Sequence, residues 1–401
     1  MSIGSSVAPL AGITVLDLTR VLSGPYATMM LGDMGARVIK VEQPRGGDDT
    51  RAWGPPFVAG ESAYFLSINR NKESLTLDFK HPAGRRVLDS LIARADVLVE
   101  NFRPGTLQRL GLSYEDLAPK IPRLVYCSIS GFGQTGPKRA RPGYDAIMQA
   151  EGGLMSITGS PEGDPYRLGI AIADIVSGMY AAYGIVLALL TRERTGRGQL
   201  VDVAMLDAVA SLLTYQASIF FATGQSPPRM GNRHPTIVPY ETFDTSDGTI
   251  VIAVGNDQQW RKFCEAVGAP ALADDPRFAT NPGRVANYEA LRPMLADRLR
   301  SRPADEWHRL LEAAGIPCGA VRSVEEVMND EQVRARAMVQ ELTHRAAGLV
   351  RLLGVPIKLG ETPGAVRTPP PTLGEHTERV LREDVGLTEQ EIATLRDEQV
   401  I

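Results

Sequence analysis

A carboxylate can serve as a covalent nucleophile when its surroundings keep it ionised and orient it. One aspartate in this 401-residue chain has such surroundings. Asp174 stands where a long apolar run begins, in GIAIADIVSGMYAAYGIVLALLTRERTGRG from Gly169 to Gly198. Asp is a residue that caps helix starts, and basic residues followed by Gly, here Arg192, Arg194 and Gly196, mark helix ends. The pattern predicts a helix with Asp174 at its cap, apolar or small on every face from Ile175 to Leu190, and therefore buried all round. The helix dipole would favour the ionised carboxylate. An ordinary N-cap has the same local sequence, so these residues alone leave both roles open. The apolar run falls short of the roughly 20 residues that a bilayer requires, so no membrane span is expected.

Other stretches carry residue types that bind ligands. Gly131-Phe-Gly-Gln-Thr-Gly136 spells GxGxxG after a predicted strand. The dinucleotide fingerprint needs a helix immediately afterwards, and Pro137-Lys-Arg-Ala-Arg-Pro142 is loop instead, which disfavours an NAD(P)-dependent oxidoreductase. Lys138, Arg139 and Arg141 could still hold phosphate, or be a solvated basic loop. Asn69-Arg-Asn-Lys72, Lys80 and Asn101-Phe-Arg-Pro-Gly105 fall at strand ends, where α/β sheets bind ligands, although turns use the same residues. No GxSxG elbow occurs. The five histidines and three cysteines show no metal-ligand spacing, so no metal is expected. Trp53, Trp260 and Trp307 read as packing residues.

These residues need a frame to hold them. Apolar content of 43%, charged content of 22% and a net charge of −4 describe a globular protein with no general pull towards nucleic acid or membrane. Unpaired cysteines and the lack of a secretory pattern in MSIGSSVAPLAG suggest the cytoplasm. Strands are predicted at Ile13–Leu18, Arg37–Glu42, Ser74–Phe79, Val97–Glu100, Leu124–Ile129 and Leu200–Ala204. Helices lie between them, one opening at Pro82. Such alternation predicts an α/β fold with a parallel, Rossmann-like sheet. One long helix is expected over Ala208–Ala222, then a Pro- and Gly-rich connection at Gly224–Pro239. A hairpin around Asp247-Gly248 and helices at 258–267, 288–301 and 304–314 follow. The expected division is residues 1–224 as a large domain, 225–325 as a smaller α+β domain, and 326–401 as a C-terminal segment.

Taken together, the motifs LDLTRVLSGPYATMMLGDMGARVIKVE, NRNKESLTLDF, ADVLVENFRPGTLQRLG, SISGFGQTGP, PGYDAIMQAEGGLMSITG and RERTGRGQLVDVAMLDA resemble the class III CoA-transferases, the CaiB/BaiF family. The resemblance spans nearly the whole chain and implies an open-ring chain that interlocks with a second copy as a homodimer. It implies Asp174 as the nucleophile, forming aspartyl anhydride and aspartyl-CoA thioester intermediates. CoA thioesters are then substrates, and no cofactor is permanently bound. The implied CoA contacts are Val21, Leu22, Leu77, Lys80, Asn101, Phe102, Arg103, Arg109, Leu110 and Tyr144, and the loop over the substrate is Gly255-Asn256.

Departures from the family narrow the expectation. The formyl-CoA:oxalate enzymes carry glutamine at Leu22, a basic residue at Gln43 and four glycines where this chain has Gly255-Asn256-Asp257, so an oxalate enzyme is not expected. The α-methylacyl-CoA racemases, the alternative on the same fold, place a histidine at Tyr144, and a tyrosine with a pKa near 10 is a poor base at neutral pH. GGDDTRAWGPPF, TIVPYETFDTSDG and AVGNDQQW are similar to the succinyl-CoA:dicarboxylate branch. A second substrate carboxylate would need a cation, for which Arg51, Arg70, Arg167 and Arg233 are candidates.

Overall fold

Six short strands frame the larger part of the chain: β1 (Thr14–Asp17), β2 (Arg37–Glu42), β3 (Lys72–Thr76), β4 (Val97–Glu100), β5 (Val125–Ser130) and β6 (Leu200–Ala204). In the computed structural model, which describes residues 8–401, they form one parallel sheet in the order β3-β2-β1-β4-β5-β6. Alternate residues face opposite sides. Val15, Val38, Val97, Val99 and Val125 pack on one side against Ala27 and Leu31 of α1 (Ser23–Asp33) and Ala181 and Ile185 of α4 (Ile172–Thr195). Leu16, Ile39, Leu75 and Leu98 pack on the other against Val87, Leu88 and Leu91 of α2 (Pro82–Ile92), together with Ile392 and Leu395. Each fully buried aliphatic side chain contributes roughly 1.5–3 kcal/mol, and covering both faces explains why the strands read as unbroken apolar runs.

Four expectations need correction. The third strand starts at Lys72 rather than Ser74, because its register with β2 runs from Val38↔Lys72 to Glu42↔Thr76. The single helix expected over Ala208–Ala222 is two, α5 (Met205–Ser211) and α6 (Thr214–Thr223), bent by 75° where Thr214 takes a φ of 36°. The Asp174 helix is not buried all round: Met179, Tyr180, Tyr183, Val186, Leu187 and Leu190 are exposed, since only one of its sides meets the sheet and α1. At 24 residues α4 is long and apolar enough to cross a membrane, so what speaks against a span is its packing on the sheet and not its length.

Two compact units emerge. The first joins the residues up to Leu154 with Arg167–Ser218 and Glu331–Ile401; the second joins Met155–Tyr166 with Ile219–Asp330. Within the second, Tyr240–Asp244, Thr249–Ala253 and Cys318–Ala320 make an antiparallel sheet over a core that includes Phe243, Trp260, Phe263 and Trp307. Within the first, the C-terminal stretch adds a separate two-stranded hairpin, Val339–His344 with Gly348–Leu353, and then straps the edge of the large sheet.

Candidate active site

Strands β1 and β4 are neighbours although the chain leaves them towards opposite edges of the sheet. Ligands of open parallel sheets bind beyond the carboxyl ends of strands at such a point. Two cavities lie there. A cavity of about 610 Å³ is lined by Leu18–Arg20, the loop after β2, Leu77–Lys80, Phe102, Leu110, Glu398 and Gln399. A smaller one of about 130 Å³ is lined by Arg20, Val21, Ser23, Asn101–Pro104, Tyr144 and Asp174. Arg20 and Phe102 belong to both, with the guanidinium 5.7 Å from the ring centre.

The expected CoA contacts divide between these cavities. Leu77, Lys80, Phe102 and Leu110 line the larger; Val21, Asn101, Phe102, Arg103 and Tyr144 share the smaller with Asp174. Two residues line neither. Leu22 is buried against Met29 and Ile68, and Arg109 is exposed, 3.4 Å from the Thr106 hydroxyl. Gly255 and Asn256 lie in the second unit, where Asn256 caps the helix Asp257–Ala266 by accepting from the Gln259 N–H.

Asp174 is not the cap of α4 but a residue of its first turn. The capping is done from outside by Asp145, at the start of α3 (Asp145–Glu151), whose Oδ1 accepts the Ala173 N–H at 2.8 Å. Its Oδ2 accepts from the buried Gln149 amide at 2.7 Å. Asp174 is thereby left to face the cavity. Ser23, the first residue of α1, lines the same cavity, and its hydroxyl and N–H act to lower the Asp174 pKa. Gly178 permits this approach: a Cβ there would sit 2.6 Å from the Ser23 carbonyl oxygen. Burial, reinforced by the Asp145 charge, nevertheless pushes the Asp174 carboxyl up to about 7 despite the Ser23 donors. The dipole effect expected from sequence is overcome, since burial penalises the charged form more than the first turn rewards it. The result is a carboxylate more basic than a solvated one, and so a stronger nucleophile when ionised.

The loop after β4 is anchored from beneath. Glu100 Oε2 accepts the Phe102 N–H at 2.8 Å and its other oxygen meets the Ser128 hydroxyl, while burial raises its carboxyl to about 7. Other cationic candidates are engaged elsewhere. Arg70 makes a buried bidentate pair with Asp33, at 2.9 and 2.7 Å. Arg51 pairs with Glu42 and stacks 3.7 Å over Phe65. Arg167 is exposed, and Arg233, in the second unit, lies 3.3 Å over Tyr288. Lys138 and Arg141 both pair with Glu151, and no helix follows Gly136 until Asp145, so the GxGxxG stretch lacks the setting that nicotinamide binding requires. Trp260 and Trp307 are core residues, whereas Trp53 is 40% exposed and edges onto Tyr64. Ser23, Asp145 and Arg20 were not singled out from the sequence; the available signals were the serine at a helix start in SGP and an aspartate opening α3.

The chain resembles known proteins over nearly its whole length. Residues 10–377 match the CoA-transferase family III model. The chain is 44% identical to a succinyl-CoA:glutarate CoA-transferase of Mus musculus, covering 97% of this chain and 89% of that protein. It is also 44% identical to an acetyl-CoA:oxalate CoA-transferase of Acetobacter aceti, covering 89% and 92%. A crystal structure of a CaiB/BaiF family protein from Brucella suis superposes with a TM-score of 0.83 at 43% identity, covering 94% of this chain and 99% of that one.

Proposed function

The chain belongs to CoA-transferase family III, and we propose that it moves CoA from succinyl-CoA to a small dicarboxylic acid with Asp174 as nucleophile. An Asp174 oxygen attacks the thioester carbonyl, the C–S bond breaks, and CoA thiolate leaves a mixed anhydride. The thiolate attacks the aspartyl carbonyl of that anhydride and expels the donor acid, giving an aspartyl-CoA thioester. The acceptor carboxylate attacks this thioester, again releasing thiolate, which takes the acceptor's acyl group and regenerates Asp174. One thioester is consumed and one is made, so the exchange needs no ATP, and covalent catalysis divides it into easier steps.

The observation that carries this reading is the capping of α4 by Asp145, which leaves Asp174 on the cavity wall beside the expected CoA contacts. The strand order supports a Rossmann-like large domain. The exposed apolar face of α4 supports a homodimer, interlocked as in the family. The three unpaired thiols suit the cytoplasm. Tyr144 on the cavity lip disfavours racemisation, which needs a base at neutral pH.

Incubation with succinyl-CoA and a panel including glutarate and oxalate, read by mass spectrometry of new thioesters, tests the assignment. Glutaryl-CoA formation is expected. Oxalyl-CoA alone would favour a second reading, to which the 44% identical oxalate-utilising relative points. Asp174→Ala is expected to fold and to lose transfer by at least about a thousandfold; substantial remaining turnover would refute the nucleophile.

A further inference from the structure

The first glycine of the GxGxxG stretch is required by space and not by conformation. Neither Gly131 nor Gly143 takes a positive φ, so no turn demands glycine at either place. Their backbones instead lie against each other. A Cβ on Gly131 would sit 2.8 Å from the Gly143 Cα, and one on Gly143 would sit 2.6 Å from the Gly131 Cα. Gly131 is the fixed side of this seam. Its C=O accepts the Leu206 N–H of α5 at 3.0 Å, and the Gly133 N–H donates to Ser130 Oγ at 3.0 Å. Gln134 donates its N–H to Asp202 Oδ2 of β6 at 3.1 Å and its side-chain amide to Ser128 Oγ of β5 at 2.6 Å. Gly143 is the dependent side. It closes an exposed loop, residues 135–142, and leads directly into Tyr144 and Asp145. Gly131, Gly143 and Tyr144 line the smaller cavity together with Asp174.

Resting on the reading of Asp174 as nucleophile, we propose that the Gly131–Gly143 seam is a positioning device of the active site: it sets the place of Asp145, and through the bond from the Ala173 N–H to Asp145 it keeps Asp174 turned to the cavity. The path is short and continuous. Gly143 stands two residues before Asp145, and the Asp145 carboxylate receives the Ala173 N–H at 2.8 Å, one residue before Asp174. From the other side Asp145 is steadied by Gln149, which is buried, so the seam is what fixes its approach from the exposed loop. A methyl group at either glycine meets backbone, which cannot swing aside as a side-chain tip can. Gly143 must then move away, and Asp145 with it. The Ala173 N–H loses its acceptor, and the first turn of α4 is left to fray or to be capped by Asp174 itself.

The test is a double-mutant cycle of Gly131→Ala and Asp145→Ala in the full-length enzyme, with hydrogen exchange at the Ala173 amide read alongside. Gly131→Ala is expected to lower kcat by about tenfold to a hundredfold, as a misplaced reactive group does, with KM for acyl-CoA changed by less than about threefold. Exchange at Ala173 should quicken by about tenfold while that at Ala181, in the middle of α4, keeps its rate. In the Asp145→Ala background, where the bond is already gone, Gly131→Ala should lower kcat by less than about twofold further. Should Gly131→Ala fail to fold, Gln134→Ala, which loosens the fixed side of the seam without adding an atom, is read in the same cycle with a loss of at least about threefold. Losses that multiply in the double variant, a rise in KM with kcat intact, or unchanged exchange at Ala173 overturn the proposal. Asp174→Ala measured in parallel keeps the two readings apart. If it is dead while the losses multiply, only the seam fails; if it still transfers CoA, the nucleophile reading fails and takes the catalytic role of the seam with it.

Discussion

Asn69–Lys72 and Asn101–Arg103 are built from the same kinds of residue and border strands of the same sheet, yet they do opposite work. The first stretch lies at the amino end of β3 and is sealed inside the protein. Arg70 is bound to Asp33; the Asn71 amide reaches Asp33 and Ala365 O while its Oδ1 accepts from Arg367 and Thr368; Lys72 is buried against Asp17, Asn69 and Pro25 O. The second lies at the carboxyl end of β4 and lines both cavities. Composition does not separate them. The end of the strand does, because parallel sheets place their loops for ligands at the carboxyl side.

The contrast can be broken by removing charge from each side. Arg70→Ala leaves the Asp33 carboxylate buried without its bidentate partner, which should cost about 3–5 kcal/mol of stability. Thermal unfolding should show a large fall in Tm, while the folded fraction keeps its KM for acyl-CoA. A small Tm change with a large KM change would place Arg70 in the site instead.

Asp174→Asn should act in the opposite sense. A carboxyl raised from 3.8 to about 7 favours the fold while protonated. That contribution is complete below pH 4 and is lost as pH rises through about 7. The variant should therefore melt above wild type at pH 8 and match it near pH 4. The upper bound is roughly 4 kcal/mol, lessened by the partial exposure of the group. Equal Tm values at pH 8 would mean that Asp174 ionises without penalty.

Arg103→Ala should have the smallest effect and the cleanest one. The residue is exposed, so Tm should hold, while KM for acyl-CoA should rise about tenfold with the loss of one charge-assisted contact. Unchanged KM would remove Arg103 from the binding surface.

Much of the frame was legible in the chain because it depends on local pattern. The six strands and the Pro82 helix follow from apolar runs and start signals, and five of the strands fall within a residue or so of their expected limits. The site was legible only in part. Asp174 announces itself, but its freedom from capping depends on Asp145, 29 residues earlier. Ser23 shares its cavity from α1, a helix that Gly178 lets approach closely. Such pairings have no sequence spacing to betray them. The fate of Arg70 was hidden for the same reason: its partner Asp33 lies 37 positions away. The break at Thr214 was missed because apolar residues continue on both sides of it.

The strap across the edge of the large sheet has a bearing on how the protein is made. Strand β3 is the outermost, and its exposed edge is closed by residues translated much later: the Ser74 N–H reaches His376 Nδ1, and the Thr76 N–H reaches the Thr377 hydroxyl, across 302 and 301 positions. At about 5–20 residues per second, a ribosome needs roughly 15–60 s to supply that closure. Throughout this interval the nascent sheet presents a row of unanswered amide groups, the kind of edge on which chains pair wrongly. Closure of this edge of the sheet thus waits on translation of the C-terminal stretch.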